Sequence, residues 1–85
     1  MAVLRIEWLD DARADVRALD HAVAMHIFER ILHFARTGSG TVMPLHRNLA
    51  GCFRLRIGDY RVLFTLKDEA MHISGVRHRS DAYRG

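Results

Sequence analysis

The sequence predicts one α+β domain over residues 1–85, ordered β-α-α-β-β-β, with an N-terminal strand and a helical hairpin packed on one face of a curved, mainly antiparallel sheet. Three observations predict it. Apolar residues recur at helical spacing from Ala12 to Ala35. Phe53, Leu55 and Ile57 alternate with Arg54 and Arg56, the period-two pattern of a half-buried strand, and a second such run follows directly after Gly58-Asp59. A third apolar run follows the turn near Asp68-Glu69, and connections this short make consecutive strands antiparallel neighbours.

Taken in order, Val3–Trp8 reads as a first strand, with Leu4, Ile6 and Trp8 on one side and Val3, Arg5 and Glu7 on the other. Asp10 or Asp11 can cap the helix that follows, and both place negative charge at its positive end. Ala12, Val16, Leu19, Val23, Ile27, Phe28, Ile31, Leu32, Phe34 and Ala35 then fit either one long helix or two packed around Leu19-Asp20-His21. The hairpin is favoured because Asp20 can cap a second helix, and Gly38 and Gly40 end the helical region. Ser39–Asn48, holding the chain's one proline, Pro44, reads as an irregular linker. Strands are expected over Gly51–Ile57, Tyr60–Lys67 and Ala70–Arg77.

The core face of these strands is read as Phe53, Leu55, Ile57, Tyr60, Val62, Phe64, Leu66, Met71, Ile73 and Val76, with Trp8 and Phe28 also in the core. The open face carries Arg54, Arg56, Arg61, Leu63 and Thr65, with His72 and Ser74 beside them. Unbroken alternation would turn Arg77 inward and Val76 outward, so a bulge is expected at Ser74-Gly75. Gly58-Asp59, with glycine first, suits a type II′ turn, which sets Ile57 opposite Tyr60 and Arg56 opposite Arg61. Like charges directly across a strand pair are destabilising. An anion placed there would relieve them, and phosphate matches the rigid arginine fork.

Composition agrees with an anionic partner. The net charge is +3, and twelve of the thirteen basic residues are arginine, Lys67 being the exception. One cysteine, Cys52, excludes an intramolecular disulfide and a cysteine-based metal site. His21, His26 and His33 read as surface residues of the helices, without the partners a metal site needs. No cofactor and no metal are expected. No apolar stretch approaches the ~18 residues of a membrane span. Glu7, Asp10 and Asp11 interrupt any signal-peptide layout, so a cytoplasmic location is expected.

The order of Trp8, two amphipathic helices, Pro44-Leu45, Leu49-Ala50-Gly51 and Phe53-Arg54-Leu55-Arg56-Ile57-Gly58-Asp59-Tyr60-Arg61-Val62-Leu63-Phe64 resembles the RelE/ParE superfamily of bacterial and archaeal toxins. The ending Val76-Arg77-His78-Arg79-Ser80-Asp81-Ala82-Tyr83 resembles that family's C-terminal basic–tyrosine motif. The resemblance implies the toxin of a type II toxin–antitoxin pair, with a cognate antitoxin, the ribosome and mRNA as partners. RelE-like members cleave mRNA in the ribosomal A site, whereas ParE-like members poison DNA gyrase and generally lack the full basic–tyrosine set. By position Arg54 and Arg56 match the family's basic pair, Arg61 its central arginine, Arg77 the arginine closing the last strand and Tyr83 the C-terminal tyrosine. The complete set implies the RNA-cleaving branch, the alternatives being a ParE-like gyrase-inhibiting toxin or a catalytically inactive member that only binds its antitoxin or RNA. Members often carry lysines where this chain has Arg54 and Arg56, and a longer C-terminal helix.

Such cleavage uses the ribose 2′-OH against the adjacent phosphate, and needs a base, an acid and positive charge at the phosphorane. Arg61 and Arg77 are the candidates for that charge, Arg54, Arg56 and Arg79 for holding the RNA backbone, and Tyr83 for stacking on a base or orienting the 2′-OH. Arginine stays protonated and makes no ordinary base. His78, between Arg77 and Arg79, is the first candidate for proton transfer, ahead of His72 and His46. Alternatively, positioning by the ribosome and electrostatics carry the reaction without a histidine.

Overall fold

A computed structural model describes residues 3–44 and 51–80. Strand β1 (Arg5–Trp8) leads into helix α1 (Asp10–Arg17) and helix α2 (His21–Thr37). Four strands follow: β2 (Thr41–Pro44), β3 (Cys52–Ile57), β4 (Tyr60–Lys67) and β5 (Ala70–His78). They form one mixed sheet in the order β1-β5-β4-β3-β2, in which β1 runs parallel to β5 and the other pairs are antiparallel.

The helical hairpin is present, and its junction is built as expected. The Asp20 carboxylate accepts from the Ala22 N–H at 3.2 Å, which satisfies one of the free donors of the α2 N-terminus. Gly38 closes α2 at φ 76°, a conformation that costs a residue with a Cβ about 1 kcal/mol or more. At α1 the expectation is corrected. Leu9 occupies the cap position without a side-chain bond, and Asp10 and Asp11 lie in the first turn, acting on the dipole rather than as caps.

Both helices bury their apolar stripe on one face of the sheet. Ala12 and Val16 from α1 and Ala24, Ile27, Ile31 and Phe34 from α2 pack with Leu55, Ile57, Val62, Phe64, Met71, Ile73 and Val76. Phe64 lies between two rings, tilted against Phe34 and stacked on Phe53 at centroid distances of 5.6 and 5.7 Å. Trp8 and Phe28 meet edge to face at 5.4 Å, half-buried at the margin of this core. Leu66 departs from the expectation and remains 36% exposed, because its neighbour across the ladder is Gly51, which has no side chain to cover it.

Two further results concern the sheet. The segment read as an irregular linker contains β2, whose four residues pair with β3 from Thr41↔Arg56 to Pro44↔Phe53. Pro44 is tolerated there because β2 is an edge strand. The bulge lies where expected. Leu63 faces Gly75 and Phe64 faces Ile73, so Ser74 is the extra residue, and its hydroxyl donates to the Leu63 carbonyl at 3.2 Å. Val76 is thereby turned into the core opposite Val62, and Arg77 is set opposite Arg61.

Candidate nucleic-acid interface

The face of the sheet away from the helices presents a row of arginines fixed by register. Gly58, at φ 58°, opens a two-residue turn, and Ile57 and Tyr60 close it. The next pair outward is Arg56↔Arg61, and Arg61 is in turn opposite Arg77 on β5. The three arginines thus stand at one level on three adjacent strands. Residues flanking a two-residue turn exchange backbone hydrogen bonds, which makes Arg56↔Arg61 a non-bonded pair, with Cα atoms only about 4.5 Å apart. Arg54 lies two residues along β3 on the same face, opposite Leu63, with Nη2 3.9 Å from Met43 Sδ on β2.

The side-chain tips rest on protein acceptors that differ from one arginine to the next. Arg61 Nη1 donates to the Gly58 and Tyr60 carbonyls at 3.4 and 3.2 Å, which draws it toward the turn. Arg79, just past β5, is bound to the same turn. Its N–H donates to the Asp59 carbonyl at 2.6 Å, and its guanidinium lies 3.9 Å from the Asp59 carboxylate. Arg77 reaches the other way, to Asp15 of α1 at 2.5 Å. Arg56 is exposed and Arg54 half-buried. The backbone therefore brings Arg54, Arg56, Arg61 and Arg77 together, with Arg79 at the turn end of the row.

His78 is not brought to this row. It is opposite Tyr60, on the helix side of the sheet, with the two rings edge to face at 5.2 Å. It lines a cleft of about 410 Å³ between α1 and β5 with Ala14, Asp15, Ala18, Leu19, Tyr60, Val76 and Arg77, so of the arginine row only Arg77 shares a cavity with it. Its Nδ1 accepts from the Ser80 N–H at 3.2 Å, which in the neutral ring leaves the proton on Nε2. His72, on the arginine side, lies near the far end of the hairpin, its Nε2 3.3 Å from the Lys67 carbonyl. Tyr83 and His46 lie outside the described residues. Among the described residues, no three His, Cys, Asp or Glu side chains cluster as metal ligands would, and no helix is long and apolar enough to cross a membrane.

Asp15 is the site residue the sequence reading missed. It is 62 positions from Arg77 and carries no local signal of the pairing.

The same fold occurs in solved toxins. In the crystal structure of the RelBE2 toxin–antitoxin complex from Mycobacterium tuberculosis, one chain matches with a TM-score of 0.82 and 30% identity, over 95% of this chain and 97% of that one. A chain of the RelE–RelB complex from Pyrococcus horikoshii matches with a TM-score of 0.75 over 98% of this chain and 99% of its own, at 19% identity, and shows the fold alone. The 30% identity over nearly the whole of both chains, on a shared fold, defines a toxin domain of the RelE/ParE superfamily. Toxin RelG of M. tuberculosis is 49% identical over 43 residues, which is 48% of this chain; the match spans about half of that relative's length, 49%. The chain belongs to the family described as ParE toxin of type II toxin–antitoxin system, parDE, whose model matches residues 6–83.

Proposed function

We propose that this protein is the toxin of a type II pair and acts as a ribosome-dependent mRNA endoribonuclease in the cytoplasm, inhibiting translation. The observation that carries the reading is the register-aligned row Arg56–Arg61–Arg77 on the helix-free face. Arg56 against Arg61 is unfavourable for the fold alone, Arg77 being compensated by Asp15, and the aligned row is favourable for holding a phosphodiester.

In this reading the ribose 2′-oxygen bonds to the adjacent phosphorus and the P–O5′ bond breaks, leaving a 2′,3′-cyclic phosphate and a free 5′-hydroxyl. The 2′-OH proton passes to a base and the 5′-oxygen gains one from an acid. Arg61 and Arg77 donate to the non-bridging oxygens as charge builds on the phosphorane, a role that requires no metal ion. Arg54 and Arg56 hold the neighbouring backbone, Arg79 extends the contact past the turn, and Tyr83 stacks on a base or orients the 2′-OH. The opposite-face position of His78 favours the form of the mechanism in which the ribosome positions the RNA and the arginines supply the electrostatics.

A cognate antitoxin is the expected partner, since the solved relatives named above are toxin–antitoxin complexes. A second reading, a gyrase-directed toxin, is favoured by the ParE description of the matching family. In vitro translation separates them. Messenger RNA cut at discrete codons, and left intact by Arg61→Ala, supports the nuclease. Relaxed plasmid with intact mRNA supports the gyrase reading and overturns the first.

A further inference from the structure

Among the described residues, Arg77 is the one of the three aligned arginines, Arg56, Arg61 and Arg77, with a carboxylate against its guanidinium. A single oxygen of that carboxylate has two partners: Asp15 Oδ2 accepts from the Val76 N–H at 2.9 Å and from Arg77 Nη1 at 2.5 Å. The first bond has a structural reason. Strand β1 pairs with β5 only from Ala70 to Ile73, so the Val76 amide on the same edge needs another acceptor. Asp15 is therefore held in place by backbone, whether or not Arg77 stays with it.

The side chain of Arg77 is 45% exposed. Asp15 neutralises one of the three aligned charges and so lowers the repulsion within the row. A phosphodiester in the row would do the same for all three, and would then be repelled by the Asp15 carboxylate. We propose that Asp15 is an internal stand-in for the substrate phosphate: it holds Arg77 at the rim when RNA is absent and yields the guanidinium when RNA binds. This rests on the RNA-binding reading above. The pair is water-accessible, so its release weakens RNA binding by about two- to fivefold and no more.

The test uses Asp15→Asn, whose amide oxygen still accepts from Val76 while the charge is gone. The probe is a fluorescent 2′-O-methyl oligoribonucleotide, which lacks the attacking hydroxyl, followed by anisotropy at fixed salt. Asp15→Asn is expected to bind about two- to fivefold tighter than wild type, to melt lower alone, and to regain most of that loss with saturating oligonucleotide. In an Arg77→Gln background the gain in affinity should be smaller, since the part that passes through Arg77 is lost and only the direct repulsion by the Asp15 carboxylate remains to be relieved. Equal or weaker binding by Asp15→Asn overturns the proposal, as does an undiminished gain in the Arg77→Gln background. Asp15→Ser carries the same comparison if the Asn variant does not fold. If wild type and Arg61→Ala bind the probe alike, the RNA-binding reading itself fails; if Arg61→Ala binds weaker and Asp15→Asn no tighter, only the role of Asp15 does.

Discussion

Arg61 has like charges across both strand neighbours, so replacing it should move stability and RNA binding in opposite directions. Arg61→Gln removes the charge and leaves an amide on a side chain two atoms shorter, so the bonds from Nη1 to the Gly58 and Tyr60 carbonyls, at 3.4 and 3.2 Å, are given over to water. A cross-strand like-charge pair costs roughly 0.2–1 kcal/mol. The pair with Arg77 is already relieved by Asp15, so the main gain comes from Arg56, about 0.5 kcal/mol in all. For a domain of this size that raises Tm by about 2–4 °C. On single-stranded RNA each phosphate contact contributes about 0.7 to the slope of log K against log salt. Contacts from Arg54, Arg56, Arg61, Arg77 and Arg79 set the wild-type slope near −3.5, and Arg61→Gln brings it to about −2.8. Thermal melting, with anisotropy titrations on the 2′-O-methyl oligonucleotide from ~50 to ~200 mM salt, reads both quantities. A variant that melts lower and keeps the wild-type slope would refute the reasoning, because Arg61 would then be a structural residue and not a phosphate ligand.

Two further predictions concern the scaffold. Phe64 is 1% exposed and packs against two other rings, so Phe64→Ala should cost about 3–5 kcal/mol in urea unfolding, most of the stability of a small domain, whereas Phe64→Leu should cost distinctly less. Asp68 and Glu69 both have positive φ, 55° and 58°, in the two-residue turn between β4 and β5. Glu69→Gly should therefore raise Tm, by the equivalent of about 1 kcal/mol, as Asp-Gly is the preferred pair for a turn of type I′; an unchanged or lower Tm would count against the strain assigned to this turn.

The hairpin from Cys52 to Lys67 was legible because local signals agreed. Alternation gave the faces, Gly58-Asp59 set the register, and Arg56 and Arg61 followed from both. The bulge was legible through a contradiction, since only an extra residue keeps Val76 in and Arg77 out. The same reasoning, carried one residue further, turns His78 inward beside Tyr60, so its separation from the arginines was already implied by the alternation. Strand β2 was hidden for a different reason. With one inward-facing apolar residue, Val42, and a proline at its end, it takes its order from pairing with β3 rather than from its own pattern. Asp15 was invisible because its partners lie on a strand some sixty residues away, and on α1 it reads as one more solvent-facing acid.

The place of β5 in the sheet has a consequence for biogenesis. The strand that joins β1 to β4 comes last in sequence among the described strands, so β1 has no pairing partner until Ala70–His78 has left the ribosomal tunnel. Contacts of such long sequence separation form late and close together in time. A nascent or prematurely terminated chain lacking this strand has neither Arg77 nor the edge that Asp15 covers. The Arg56↔Arg61 pair belongs to the β3–β4 hairpin alone, whereas the third charge of the row arrives only with β5.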